Sequence, residues 1–238
     1  MFEKTIKRIS RVLAIIALYI MCAYGYLTGK GFVFKDNTFI LSNAAYAEEQ
    51  AFAQPVSGDI GLSEERTRAM GNINAPLTMY VFSSMSCSHC RDFHKFILPK
   101  LERDFVATGK LRFVYIHFPM EPMSMRAAKL SLCMPQEKFY DFLSELYGSK
   151  DWLYAENEEK LYNHAKKFGM TDDDIKACGD DKKLTSDILL VEENAIKTFK
   201  IKGTPSFIIA GKDGQELIYG TKSYGEFKNY LEKRLSGE

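Results

Sequence analysis

Apolar and polar positions along the chain change rhythm several times, and each change predicts an element. An uncharged run, "VLAIIALYIMCAYGYL", spans 12–27. After it, residues 48–64 ("EEQAFAQPVSGDIGLSE") are polar and aperiodic, and read as a linker or arm. Residues 77–84, "LTMYVFSS", follow Pro76 and are rich in aromatic and β-branched members, as in a buried strand. The period then becomes helical: Phe93, Phe96, Ile97, Leu101 and Phe105 recur at three- and four-residue spacing. Pro99 is expected to kink that helix and Gly109 to end it. "KLRFVYIHFP" predicts a second strand. From Met123 to Lys200 the pattern is helical, with faces made by Phe139, Phe142, Leu143 and Leu146, by Leu161, Ala165 and Phe168, and by Leu184, Ile188, Val191, Ala195 and Phe199. "TDDD" at 171–174 has a hydroxyl cap and first-turn acids, which suit a helix start. Strands return in "SFIIAG" and "QELIYG" around Lys212-Asp213-Gly214, and "YGEFKNYLEKRL" closes the chain as a helix. Removing the helical block leaves the order β-α-β, then β-β-α.

Charge adds a direction to this plan. The whole chain of 238 residues has a formal net charge of +1, but residues 1–47 hold six Lys/Arg (Lys4, Lys7, Arg8, Arg11, Lys30, Lys35) against two acids (Glu3, Asp36), which leaves −3 for the body. A mildly acidic body gives no electrostatic reason to bind nucleic acid. The basic segment Lys4 to Arg11 ahead of the apolar run reads as a targeting segment. The run has 16 residues, a long signal core or a short anchor beside the roughly 20 a spanning helix needs. Ala45-Tyr46-Ala47 has the small-x-small pattern that signal peptidase cuts, and cleavage after Ala47 is expected, with an uncleaved anchor as the alternative. Either way the positive-inside rule places the body across the membrane. A lipid anchor at Cys22 is disfavoured by the bulky Met21 before it.

Five cysteines are present, and without Cys22 four remain: Cys87, Cys90, Cys133 and Cys178. An even count in an exported domain reads as disulfide chemistry. Cys87-Ser88-His89-Cys90 falls where the 77–84 strand gives way to a helix. The first amides of a helix lack backbone partners and carry partial positive charge, which favours a thiolate at Cys87, and a protonated His89 adds to that effect. Cys90, three residues on along the same face and more buried, is the natural resolving cysteine. A second signal is "KGTPSFII" at 202–209: a proline just ahead of a buried strand cannot donate to the ladder. The Thr204–Pro205 bond is expected to be cis, placing the loop beside Cys87 with the Thr204 backbone open to an extended substrate. The element order is that of the thioredoxin fold, with a helical domain inserted between its halves. The expected organisation is a leader or anchor at 1–47, an arm at 48–64, the two thioredoxin parts at 65–122 and 201–238, and the inserted helices at 123–200.

The stretches "GNINAPLTMYVFSSMSCSHCRDFH", "TGKLRFVYIHFPM", "AAKLSLCMPQEKFYDFLSELY", "DDDIKAC" and "IKGTPSFIIAG" resemble the DsbA-type thiol–disulfide oxidoreductases of bacteria, in particular their alphaproteobacterial branch. The resemblance covers residues 59–235 and implies a periplasmic oxidoreductase with Cys87 as nucleophile, Cys90 as resolver and Pro205 as the cis-proline. It implies a second disulfide, Cys133–Cys178, pinning two helices of the insertion. No organic cofactor is implied beyond the redox-active Cys87–Cys90 pair. The partners implied are reduced or unfolded exported proteins and a DsbB-type membrane quinone reductase. Two positions depart from the family pattern. Ser88 stands where proline is frequent, and Val81 stands six residues before Cys87 where many members carry a carboxylate, so no buried acid can relay protons to Cys90 from there. Thr204 occurs in isomerase relatives as well, and does not by itself select an oxidase.

Several alternatives accompany these expectations. Cys87, Cys90 and His94 have C-x2-C-x3-H spacing, but a structural zinc site wants a fourth ligand, and the thioredoxin order makes the metal reading the weaker one. Cys133 and Cys178 can also be two buried thiols that never meet. His94 reads as a packing or surface residue, and Phe82, Met85, Met120 and Met123 as either core or apolar surface near the site. An isomerase or reductase of the same fold, or a peptide-binding chaperone with a structural disulfide, are the competing functions. Isomerase relatives carry a sizeable N-terminal dimerisation domain, for which the arm from Glu48 to Asp59 is too short, and this argues for a monomer.

Overall fold

The computed structural model describes residues 16–17, 19–27, 32–35, 38–41, 52–63 and 67–237. The chain divides into two units, Met1–Phe52 and Ala53–Glu238. In the first, 16–17 and 19–27 are helical, and β1 (Phe32–Lys35) pairs antiparallel with β2 (Thr38–Leu41). Among the described residues no helix is long and apolar enough to cross a membrane. The basic segment before residue 16 and the Ala45-Tyr46-Ala47 motif lie outside the described residues.

The second unit is built on a six-stranded sheet of order β3-β8-β7-β5-β6-β4. Its centre is β5 (Leu77–Ser83), parallel to β6 (Leu111–His117) and antiparallel to β7 (Ser206–Gly211), which pairs in turn with β8 (Gly214–Tyr219). Alternation along these strands separates two faces. Phe82, Val114, Ile116, Ile208 and Leu217 pack on one, with Ile60, Ala195 and Phe199. On the other, Phe93 meets Phe207 with ring centroids 4.8 Å apart, Phe227 at 5.9 Å and Phe113 at 6.3 Å. The mixed α/β architecture is the one the hydrophobic pattern anticipates.

Two short edge strands carry no such pattern. β3 (Gln54–Val56) lies inside the segment read as an aperiodic arm and pairs with β8 through Gln54↔Leu217 and Val56↔Gln215. β4 (Arg68–Met70) pairs with β6. Three residues are too few to show a period of two, and Pro55 is tolerated because β3 is an edge. The arm is docked further by Ile60, 6% exposed, and by Asn194 Nδ2 donating to the Asp59 carbonyl at 2.6 Å.

The helix after Cys87, α1, starts as Ser88–Asp92, widens to π-type turns at Phe93–Ile97, returns to α geometry at Leu98–Leu101, and widens again at Glu102–Val106. Where a kink is predicted at Pro99, the helix widens just before the proline: Leu98 N–H reaches back five residues to Phe93 O, and Ile97 relaxes to φ −111°. A regular turn would drive the pyrrolidine ring into the carbonyl four residues earlier. Gly109, at φ +72°, ends the segment, its N–H donating to Val106 O at 3.0 Å.

Between β6 and β7 lie α2 (Pro122–Cys133), α3 (Gln136–Gly148), α4 (Glu159–Lys167), α5 (Asp172–Asp180) and α6 (Lys182–Phe199). Phe139, Phe142 and Leu143 are fully buried, as their spacing predicts. Thr171 caps α5 reciprocally with Asp174. The end of α6 packs on the sheet through Ala195 and Phe199. The closing helix, α7 (Tyr224–Ser236), buries Phe227 and Leu231.

Candidate active site: two thiols at a helix N-terminus

Cys87 is the N-cap of α1, with extended backbone at φ −80° and ψ 122°. Its sulfur accepts from the Cys90 backbone N–H at 3.4 Å. This is the cap interaction a Ser or Asp oxygen makes elsewhere, here made by sulfur. Ser88 and His89 are exposed, Cys87 is half-buried, and Cys90 is 1% exposed. Both are free thiols.

The Thr204–Pro205 peptide bond is cis, and Pro205 O accepts from Gly220 N at 3.0 Å. The loop brings the Thr204 carbonyl oxygen to 3.4 Å from Cys87 Sγ. As a thiol, Cys87 donates to that oxygen; as a thiolate it accepts from Cys90. Thr204 Oγ1 also contacts Met120 Sδ at 3.3 Å, and Met120 is 61% exposed. Of the apolar residues near the site, Phe82 and Met85 are core, Met120 is surface, and Met123 is half-buried.

The two sulfurs are pushed apart in acidity. Cys87 is lowered to about 5 by the hydrogen bond from the Cys90 thiol, against the opposing effect of burial, and further by Thr204 and the backbone N–H groups of Cys90 and His89. His89 therefore acts on Cys87 through its main chain. Cys90 is pushed far up, first by burial and then by its interaction with Cys87, with Ser83 and Thr204 pulling the other way. One half-buried sulfur that ionises easily beside one buried, proton-holding thiol is what a dithiol that attacks and then resolves requires.

Sequence reading missed a set of buried hydroxyls behind Cys90. Ser83 Oγ lies 2.9 Å from Tyr147 Oη, and Tyr147 Oη lies 2.8 Å from Tyr115 Oη. Their partners are 64 and 32 positions apart in sequence, so no local spacing reveals them. Val81 is 1% exposed and pairs in register with Tyr115 across β5 and β6.

His94 does not turn toward the thiols. Its Nε2 is 2.8 Å from Ser144 Oγ, its ring lies 4.9 Å from that of Tyr147, and burial lowers its pKa to about 4. It packs α1 against α3 as a neutral ring. Among the described residues no three His, Cys, Asp or Glu side chains converge as a metal site. Cys133 and Cys178 stand apart from the pair and are bonded to each other, Cα to Cα 6.2 Å, joining α2 to α5.

A dithiol at the first turn of a helix, facing a cis-proline loop on a thioredoxin sheet, defines the class. A thioredoxin family model matches residues 63–233. A Rickettsia prowazekii protein named as a protein-disulfide oxidoreductase is 24% identical over 151 residues, covering 62% of this chain and 56% of the relative. The chain thus spans little more than half the length of that relative. Disulfide bond formation protein D of Bacillus subtilis is 22% identical over 185 residues, covering 71% and 77%. Among solved structures, Wolbachia pipientis alpha-DsbA1 superposes with a TM-score of 0.66 at 26% identity, covering 74% of this chain and 94% of the other. The chain belongs to the thioredoxin family, and its relatives and structural neighbours make it a DsbA-type member.

Proposed function

We propose that the protein is a thiol–disulfide oxidoreductase that introduces disulfide bonds into exported proteins. The observation that carries this reading is the placement of Cys87 at the first turn of α1, accepting from Cys90 N–H and facing Thr204. A substrate thiolate attacks Cys87 Sγ of the oxidised pair, the Cys87–Cys90 bond breaks, and its electron pair leaves on Cys90. A second substrate thiolate attacks the substrate sulfur of the mixed disulfide and expels Cys87 as a thiolate. The product is a substrate disulfide and a reduced enzyme; two electrons have moved to the Cys87–Cys90 pair. A sulfur with a pKa of about 5 is a good leaving group, and its stability as a thiolate favours the reduced enzyme, which makes the oxidised pair an oxidant.

Cys87 is the proposed nucleophile, Cys90 the resolver, and Thr204 with Pro205 the docking loop for an extended substrate segment; Ser88 and His89 fill the exposed positions between the thiols. The site of action we propose is the periplasm of a Gram-negative bacterium, supported by the basic-then-apolar start of the sequence, with inner-membrane anchoring if that segment is kept. A DsbB-type quinone reductase is the proposed oxidant of the reduced pair, and the protein is proposed to act as a monomer.

The test is the reduction potential of the Cys87–Cys90 pair in glutathione buffers with Cys133 and Cys178 present. A value above about −180 mV is expected. A value near or below about −270 mV identifies a reductant and overturns the oxidase reading.

A further inference from the structure

When Cys87 is attacked, Cys90 leaves as a thiolate inside the protein. An unpaired charge there is expensive. The attacking sulfur bonds to Cys87 Sγ, the Cys87–Cys90 bond breaks, and both electrons go to Cys90 Sγ; no proton moves in that step. Cys90 needs a hydrogen-bond donor at that moment, and the valine at 81 cannot be one.

Ser83, at the end of β5, is 2% exposed, and its hydroxyl side chain is one of two that pull the Cys90 thiol toward ionisation, Thr204 being the other. The Ser83 hydroxyl has a single hydrogen. Whether that hydrogen is free for sulfur depends on Tyr147, whose own hydrogen has three destinations: Tyr115 Oη at 2.8 Å, Ser83 Oγ at 2.9 Å or the Ser84 carbonyl at 3.3 Å. If Tyr147 donates to Ser84 or to Tyr115, Ser83 donates to Tyr147 and offers sulfur nothing. If Tyr147 donates to Ser83, the Ser83 hydrogen is released toward Cys90, and Tyr115, 2.8 Å from Tyr147, supplies the donor that Tyr147 then accepts. Freeing Ser83 either reverses the Tyr115–Tyr147 bond or gives up the Ser84 contact, the longest in the cluster, and breaks no shorter one.

We propose that Ser83 donates a hydrogen bond to the Cys90 thiolate as it leaves, and that Tyr147 and Tyr115 orient it through the chain Tyr115 to Tyr147 to Ser83 to Cys90. Ser83 is then a catalytic residue, and the two tyrosines are positioning residues. The inference rests on the dithiol–disulfide reading above. It places the donor to the buried sulfur in uncharged hydroxyls, one of them from the inserted helix α3.

The test compares the full-length wild type with Ser83→Ala, Tyr147→Phe and Tyr115→Phe, the last two keeping the ring should the serine variant fold poorly. Attack of dithiothreitol on the oxidised pair is followed by acid quench and alkylation. Iodoacetamide labelling of Cys90, resolved by peptide mass, is profiled against pH in a Cys87→Ala background. Ser83→Ala is expected to slow attack about tenfold or more, the scale of a hydrogen bond to a charged group, and Tyr147→Phe about threefold. The Cys90 labelling profile should move to higher pH in both, while the Cys87 thiolate titration, read by absorbance, stays in place. Ser83→Thr, which keeps the hydroxyl, should restore the Cys90 profile. Wild-type exchange with unchanged rates and profiles in all three variants overturns the hydroxyl chain and leaves the oxidoreductase reading standing. A wild-type pair that dithiothreitol does not reduce overturns both.

Discussion

The sulfur of Cys87 lies 3.4 Å from the carbonyl oxygen of Thr204, a residue 117 positions further along the chain. A thiol satisfies that oxygen and a thiolate does not, so the contact ties the protonation of Cys87 to what the loop can accept. When Cys87 is charged, the Thr204 carbonyl loses that donor, and this is the state in which the proposed docking of an extended substrate would use it.

Reduced protein should gain stability with rising pH in a defined window. Cys87 is lowered to about 5 from an ordinary 9.0, so between those values the unfolded chain binds a proton that the folded one does not. Stability of the reduced form should therefore rise from about pH 5 upward and be lost as pH falls back through 5. The oxidised form has no such titration. Urea denaturation of both forms at pH 4.5 and 7.5 checks this: the stability of the reduced form relative to the oxidised one should be higher at pH 7.5. Equal differences at the two pH values would contradict the low Cys87 pKa.

Thr204→Val keeps the carbonyl and removes the hydroxyl that lowers both thiols. The Cys87 titration should move up by about one unit, within the range of a hydrogen bond to a charged group. His89→Ala should move it less, since the ring is exposed and the main-chain N–H remains. Thiolate absorbance against pH in the three proteins ranks them; a larger shift for His89→Ala would restore the imidazole as the main influence.

Phe93→Ala should cost about 3–5 kcal/mol in urea unfolding, the range for a buried phenylalanine. The ring is 3% exposed and packs against Phe113, Phe207 and Phe227, fixing α1 to the sheet three residues after Cys90. A loss below 1 kcal/mol would mean that the helix is held by other contacts.

Replacing Cys133 and Cys178 by alanine opens a crosslink of 45 residues. Chain-entropy reasoning puts the loss at roughly 3–4 kcal/mol, measured as the difference in unfolding free energy. Lys129 Nζ donates to Gly179 O at 2.5 Å near the bridge, so α2 and α5 should stay in contact in the folded variant.

The long elements were legible because each buries a continuous apolar run or one periodic apolar face. Leu77–Ser83, the Phe139 to Leu146 face of α3 and the Leu184 to Phe199 face of α6 all announce themselves by spacing. The Cys87–Cys90 pair was legible for another reason: its chemistry depends on a strand-to-helix junction that the same spacing locates. β3 and β4 were not, being three residues each. The Ser83, Tyr147 and Tyr115 hydroxyls were hidden too, because a hydroxyl at a buried position reads locally as an imperfection in an apolar face, and only the tertiary structure shows its partner.

The shortness of β3 and β4 has a consequence for the company such a protein is proposed to keep. A sheet that works among unfolded chains risks being extended by them at its open margins. Here both margins are blunt: β3 carries Pro55, which has no N–H to offer, and at β4 the hydroxyl of Tyr140 donates to the Arg68 carbonyl at 2.8 Å. One donor missing at one margin and one acceptor occupied at the other disfavour strand addition there. In the proposed function a substrate chain would then be captured at the Thr204 loop, where capture can end in chemistry and release instead of in co-aggregation.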